Sequence, residues 1–161
     1  MKKLSAGLLM CRIVDGTALE YFLVHPGGPY FKKKNAGFWS IPKGLPEPEE
    51  DLLQTAQREF FEETGIRSAP PYHALGFVKQ KGGKVIHAWA FQGEWEHTSG
   101  IVCNTFSIEW PPRSGRKVDF PEVDDARWFK YSDAAEAMIP EQIPFLDRAM
   151  VCFGFGVSCE Y

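Results

Sequence analysis

The sequence predicts an α/β fold built on a mixed sheet, on two observations. Short β-rich apolar segments bounded by glycine turns run through most of the chain, and one strongly helical segment interrupts them near the middle, with further helical segments at the C-terminal end. Strands on either side of a central helix, closed by C-terminal helices, make an α/β/α sandwich. Ser5 to Val14 and Ala18 to His25 read as two strands around the turn Asp15-Gly16-Thr17, and Phe38 to Ile41 as a further short one. Tyr72 to Lys79 and Lys84 to Glu94 read as strands around Gly82-Gly83, and Thr105 to Trp110 and Ala126 to Tyr131 add two more. Helices follow at Ser132 to Met138 and, after Pro140 and Pro144, at Phe145 to Cys152. No internal repeat is visible.

The central helix lies inside Gly44 to Ile66. Leu52, Leu53, Ala56, Phe60 and Phe61 recur with helical period, and Glu47, Glu49, Glu50 and Asp51 place negative charge at the positive end of the helix dipole. Pro48 suits a first turn, and Gly65 can take the left-handed conformation that closes a helix, after which Ile66 packs back on it.

Glu59, Glu62 and Glu63 fall at i, i+3 and i+4 of that helix and project from one face. Crowded carboxylates repel one another unless a cation holds them ionised, and a hard divalent ion such as Mg²⁺ or Mn²⁺ takes oxygen ligands of this kind. A solvated acidic face is the bland alternative. Such faces carry interleaved lysines at i+4, whereas Arg58 is the only base here.

The segment resembles the Nudix box, G-x5-E-x7-R-E-U-x-E-E-x-G-U with U a bulky apolar residue. Gly44, Glu50, Arg58, Glu59, Phe60, Glu62, Glu63, Gly65 and Ile66 occupy every specified place, Phe60 being aromatic where an aliphatic is commoner. The residues just before it, Gly37-Phe38-Trp39-Ser40-Ile41-Pro42-Lys43, look like the strand that leads into the box in that family. The likeness is tight over residues 37 to 66 and loose elsewhere.

This resemblance implies a Nudix-type α/β/α sandwich with a mixed central sheet, and hydrolysis of a diphosphate linked to a nucleoside by Mg²⁺-assisted attack of water on phosphorus. Cations that bridge the anionic oxygens neutralise charge in the transition state and acidify a bound water. On this reading Glu59, Glu62 and Glu63 are catalytic metal ligands, one doubling as the base, and the Gly44 carbonyl is a further ligand. Arg58, turned roughly 100° from Glu59 around the helix, is expected away from the metal face, pairing with Glu50 or another carboxylate. A ligand or base from a separate loop is expected too. Glu122, in Phe120-Pro121-Glu122-Val123-Asp124-Asp125 ahead of a strand, is the candidate, with Asp124 and Asp125 as competitors and an acidic surface turn as the other reading.

Composition sets the remaining bounds. A chain of 161 residues that is 44% hydrophobic suits one domain over 1–161, here a single Nudix hydrolase domain. A net charge of −3 argues against binding nucleic-acid polymers, so the expected partner is a small anionic nucleotide. Lys2 and Lys3 ahead of an apolar stretch ending at Cys11 invite a secretion reading. The stretch is too short and continues into Ile13 and Val14, so a first strand is expected. No segment approaches the roughly 20 apolar residues of a membrane span. Cys11, Cys103, Cys152 and Cys159 show neither metal spacing nor a disulfide pattern, which fits the cytoplasm.

Substrate choice rests on loops. Lys43, at the mouth of the box, is the best basic candidate for substrate phosphates, and Lys32-Lys33-Lys34, Lys79, Lys81, Lys84, Arg113, Arg116 and Lys117 extend a positive track suited to an elongated polyphosphate. Solvated loop lysines are the plainer reading of each group. Tyr30, Phe31, Trp89 and Trp95 are candidates for stacking a base, with core packing as the alternative. The tyrosine of some dinucleoside tetraphosphate hydrolases and the proline of ADP-ribose enzymes are absent from Gln80-Lys81-Gly82-Gly83-Lys84. His73, His87 and His97 form no compact pair and are not expected to bind metal. The expected substrates are nucleoside triphosphates or dinucleoside polyphosphates. A non-catalytic nucleotide-sensing or protein-binding module of the same fold is the second reading, disfavoured by the intact carboxylate set.

Overall fold

In the computed structural model, which describes residues 3–155, alternation along the first strand shows how the sheet divides the protein. Strand β1 (Leu4–Val14) sends Ala6, Leu8 and Met10 to one face and Leu9 and Cys11 to the other, all of them buried. A strand covered on both faces has no solvated side, so its residues read as a continuous apolar run. Met1, Lys2 and Cys159 lie outside the described residues.

β2 (Ala18–Pro26) returns antiparallel to β1; β3 (Lys43–Gly44) follows, then α1 (Leu52–Thr64). β4 (His73–Lys79), a 3₁₀ turn at Lys81–Gly83 and β5 (Val85–Gln92) form an antiparallel hairpin. β6 (Thr105–Glu109) and β7 (Lys117–Pro121) form a separate two-stranded sheet, and β8 (Val123–Phe129) rejoins the main one ahead of α2 (Tyr131–Ala137) and α3 (Ile143–Cys152). The main sheet has the order β4-β5-β1-β2-β8, with β3 pairing β1. β1 and β5 run parallel and the other pairs antiparallel, which makes the sheet mixed.

On one face, α1 packs Ala56 and Phe60 against Ala6, Leu8, Met10, Phe22 and Phe91. On the other, Ala134, Met138, Phe145, Leu146 and Ala149 cover Leu9, Cys11, Leu23, Ile86 and Ala88. The architecture is the expected α/β/α sandwich.

Local boundaries differ from expectation at four places. Asp51 caps α1 through a capping box with Gln54, so the helix starts at Leu52 with no acidic residue in its first turn; Pro48 and Glu49 sit in the turn before it. Phe38 to Ile41 is not a strand, because Ser40 bridges Val24 while Trp39 bridges Met138 on the opposite side. Lys117–Pro121 is a strand rather than part of a basic loop, and β8 starts at Val123, so Asp124 and Asp125 belong to the sheet. Phe61, counted with the apolar face of α1, is instead 43% exposed beneath the Arg67 guanidinium.

Candidate active site

Three elements bring the candidate residues together. α1 carries Arg58, Glu59, Glu62 and Glu63; β3 lays Lys43 and Gly44 beside it; and Glu122 sits at the junction of β7 and β8. Gly65 ends α1 in the left-handed conformation (φ 76°), its N–H donating to the Phe61 carbonyl at 2.7 Å. Just beyond the helix, the backbone of Asn104 links the two halves of the site. Its N–H donates to the Glu62 carbonyl and its carbonyl accepts from the Glu122 N–H, each at 3.0 Å.

Gly44 faces α1 so closely that a Cβ there would lie 2.1 Å from the Glu59 carboxyl carbon. Only glycine lets β3 and the Glu59 carboxylate approach in this way. Next to it the Lys43 N–H donates to Glu63 Oε2 at 3.2 Å.

Burial pushes the Glu63 carboxyl up to about 8 against the pull of Lys43, with Glu59 and Glu122 adding repulsion. Glu59 is raised by burial, and Glu62 and Glu122 add to this against the opposing effect of Arg58; Glu122 is raised by burial and by Glu62. Glu59, Glu63 and Glu122 therefore each feel a neighbouring carboxylate. Lys43 is lowered to about 8 by burial and by the neighbouring Lys84 ammonium.

Arg58 departs from its expected place. As anticipated it grips Glu50, with Nε–Oε2 at 2.8 Å and Nη2–Oε1 at 3.0 Å, but its Nη1 also reaches Glu59 at 2.8 Å and Glu62 at 3.1 Å. The side chain is long enough to cross the 100° between adjacent helix positions. Among the described residues no three His, Cys, Asp or Glu side chains are grouped so as to hold a metal ion. The expected shared volume of three carboxylates is not formed, because Arg58 bridges Glu59 and Glu62 while Glu63 turns to the Lys43 amide. The donor chemistry and the Gly44 cradle nevertheless fit a hard divalent cation, with all-oxygen donors on three elements around a gap that a Cβ would close.

Beside these carboxylates opens a cavity of about 210 Å³ whose lining includes Lys43, Glu63, Glu122, Phe31, Phe38 and Ile139. Phe31 and Phe38 stand 6.0 Å apart on its wall, with Lys34 Nζ within 5.8 and 5.2 Å of their ring centroids. The other aromatic candidates go elsewhere. Trp95 is buried against Phe22, Trp89 packs on the α1-side core, and Tyr30 meets Trp110 edge-on at 5.4 Å. A second, polar cavity of about 430 Å³ is lined by Lys32, Lys33, Lys34, Asn35, Arg127, His25, Trp39, Asp124 and Asp125. Arg113 and Arg116 are exposed between β6 and β7.

Among the acidic competitors, Asp124 accepts from His25 and Asp125 pairs with Arg127 and His97, whereas Glu122 faces the cavity with Glu63. His73 meets Phe153 edge-on and His87 lies over Phe77. His25, which sequence reasoning passed over, is buried at the edge of the polar cavity.

A mixed α/β/α sandwich with a carboxylate-bearing central helix, a glycine strand beside it and a cavity at their junction is the arrangement of a Nudix domain. A NUDIX domain profile matches residues 4–149, and the chain belongs to this family. The human protein named nucleoside diphosphate-linked moiety X motif 6 is 57% identical over 37 residues, which is 23% of this chain and 12% of that protein. The chain thus matches about an eighth of that relative's length. The fold is similar to that of a C. elegans Ap4A hydrolase in a binary complex, with a TM-score of 0.65 and 20% identity over 94% of this chain and 98% of that one. It also resembles the NUDIX domain of Shewanella oneidensis NrtR complexed with ADP ribose, with a TM-score of 0.62 and 17% identity over 94% and 88% of the two chains. No helix among the described residues is long and apolar enough to cross a membrane.

Proposed function

We propose that the protein is a Mg²⁺- or Mn²⁺-dependent pyrophosphohydrolase that cleaves the diphosphate linkage of nucleoside triphosphates or dinucleoside polyphosphates. The observation that carries this reading is the placing of four carboxylates around β3 and its cavity: Glu59 packs on Gly44, Glu63 and Glu122 line the cavity with Lys43, Phe31 and Phe38, and Glu62 is linked to Glu59 through Arg58. Glu59, Glu62, Glu63, Glu122 and the Gly44 carbonyl would hold the cation. When bound, that ion neutralises charge building on the phosphate oxygens and lowers the pKa of the attacking water. One of the carboxylates accepts the water proton.

Lys43 on the cavity wall, with Lys84 beside it, would supply positive charge to the polyphosphate, and Phe31 and Phe38 offer apolar faces to a base. The neighbouring polar cavity, lined by Lys32, Lys33, Lys34 and Arg127, favours an elongated anion over a compact one. Arg58 holds Glu50 and, in giving up Glu59 and Glu62, frees both to turn toward the cation. The chain acts as one domain over 1–161 on a small nucleotide rather than a nucleic-acid polymer, and its thiols at Cys11, Cys103 and Cys152, free among the described residues, suit the cytoplasm.

The test is to incubate the protein with Mg²⁺ and a panel of nucleoside triphosphates, dinucleoside polyphosphates, ADP-ribose and nucleotide sugars, and to identify the products. Turnover abolished by Glu62→Gln or Glu63→Gln with the fold intact supports the site. Tight binding of these compounds without turnover makes the protein a nucleotide-sensing module instead.

A further inference from the structure

His25 is buried at the C-terminal end of β2, 6% exposed, where the register with β8 shifts between His25 and Pro26. Its Nδ1 lies 2.7 Å from Asp124 Oδ1, and its Nε2 is in contact with the backbone carbonyl of Lys34. One face of the ring meets Trp39 edge-on at 5.2 Å. Two residues later the Gly27 N–H donates to the Glu122 carbonyl at 2.9 Å. The imidazole therefore joins the strand that follows Glu122 to the middle of the loop between Gly27 and Trp39.

Lys34 is the pivot of that loop. Its N–H donates to the Phe31 carbonyl at 2.9 Å, and its ammonium group sits over both Phe31 and Phe38. Residue 35 is held from the same side, since Trp39 Nε1 donates to Asn35 Oδ1 at 2.6 Å. The far end of the loop is anchored separately, with the Gly37 and Trp39 N–H groups both donating to the Ala137 carbonyl. Exposed loop backbone has little apolar packing of its own, so its order depends on such fastenings.

We propose that His25 is a positioning residue for substrate affinity: bridging Asp124 and the Lys34 carbonyl, it holds the Phe31–Phe38 wall preformed beside the candidate metal ligands. This rests on the hydrolase reading above. A preformed wall spares the substrate the cost of ordering it, so loss of the bridge is felt in binding rather than in the chemical step.

Two variants of the full chain test this, His25→Ala, which removes both ring contacts, and Asp124→Asn, which keeps an acceptor oxygen but weakens the charge-assisted bond. In His25→Ala, KM for the best polyphosphate substrate rises about tenfold while kcat stays within about twofold, and Asp124→Asn shows a smaller KM rise. Limited trypsin digestion supplies a readout independent of turnover. Cleavage after Lys32, Lys33 and Lys34 accelerates about tenfold in His25→Ala, whereas cleavage after Arg113 and Arg116 does not, which separates local release from general unfolding. Unchanged KM with unchanged cleavage at Lys32 to Lys34 overturns the proposal, and so does a fall in kcat at constant KM. If the unaltered protein turns over no member of the panel, the hydrolase reading fails alone; trypsin, together with binding of α,β-methylene-ATP followed by Trp fluorescence, still decides the role of His25.

Discussion

Arg58 Nε lies 2.8 Å from Glu50 Oε2, and the same guanidinium reaches Glu59 and Glu62 through Nη1 and the Leu45 carbonyl through Nη2. One side chain thus ties the turn before α1 to the helix. Glu50 is held down at about 2 by its hydrogen bonds from Arg58 and Thr55. A carboxylate whose folded pKa is depressed contributes stability that is present above its unfolded value, near 4.5, and is lost as pH falls through about 2. Glu50→Gln keeps an acceptor for Thr55 but loses the charge. It should cost about 1 kcal/mol at neutral pH, lower Tm by about 2–4 °C, and flatten the fall in Tm between those two pH values. Thermal melts of both proteins across that range check this.

Glu63 leads to the opposite sign. Its pKa is raised to about 8 by burial, so its contribution favours the fold below its unfolded value of 4.5 and is lost as pH rises through about 8. A bound divalent cation reverses the preference by stabilising the ionised form. The stabilisation on adding Mg²⁺, read as a rise in Tm, should therefore be larger at pH 8 than at pH 5, by a free energy on the order of 1–3 kcal/mol. Glu63→Gln should remove most of the difference. Equal Mg²⁺ shifts at the two pH values would show that Glu63 is not a ligand.

Gly44 offers a sharper test of the proposed metal site. In Gly44→Ala the new methyl would meet the Glu59 carboxylate at 2.1–2.4 Å, and the yielding partner is the end of a flexible side chain rather than backbone. The fold should survive with Tm changed by about 2–4 °C or less, while Glu59 is driven off its position. Affinity for Mg²⁺ should fall about 10- to 100-fold, the range seen when groups that orient a metal ligand are lost. Mg²⁺ titration of activity together with melting curves separates the two effects.

The box helix was legible because its periodicity, its closing glycine and its carboxylate spacing agree at one place, and β1 and β2 were legible because strands buried on both faces read as apolar runs. The start of α1 was misplaced because the acidic run from Glu47 mimics dipole capping, whereas the Asp51–Gln54 capping box marks the true boundary. β7 was missed because it pairs only with β6 and leaves Lys117, Asp119 and Pro121 exposed, a pattern that also fits a charged loop. His25 escaped notice because it sits inside an apolar strand and its partners are 9 and 99 residues away. Arg58 was assigned to Glu50 correctly, but helical angle alone ignores the reach of a long side chain.

Gln142, fully buried before α3, makes the last connection to the site. Its Oε1 accepts the Ile41 N–H at 3.1 Å, and its Nε2 donates to Ser40 Oγ at 2.9 Å and Gln80 Oε1 at 3.0 Å. Ile41 and Pro42 lead directly into β3, and the Pro42 carbonyl accepts from the Leu8 N–H. One amide thus fixes the approach to Lys43 and Gly44 and ties it to the β4–β5 turn that precedes Lys84. Gln142→Leu is close in volume but leaves the buried Ile41 N–H without its partner, a loss of about 1–3 kcal/mol. Tm should fall by several degrees, roughly 2–4 °C per kcal/mol. The displacement of β3 should also weaken Mg²⁺ binding, although Gln142 itself lies outside the carboxylate cluster. Gln142→Glu should be as destabilising or more, because it buries a charge and removes the donor to Ser40 and Gln80. A Gln142→Leu protein with unaltered Tm and Mg²⁺ affinity would show that β1 alone positions β3.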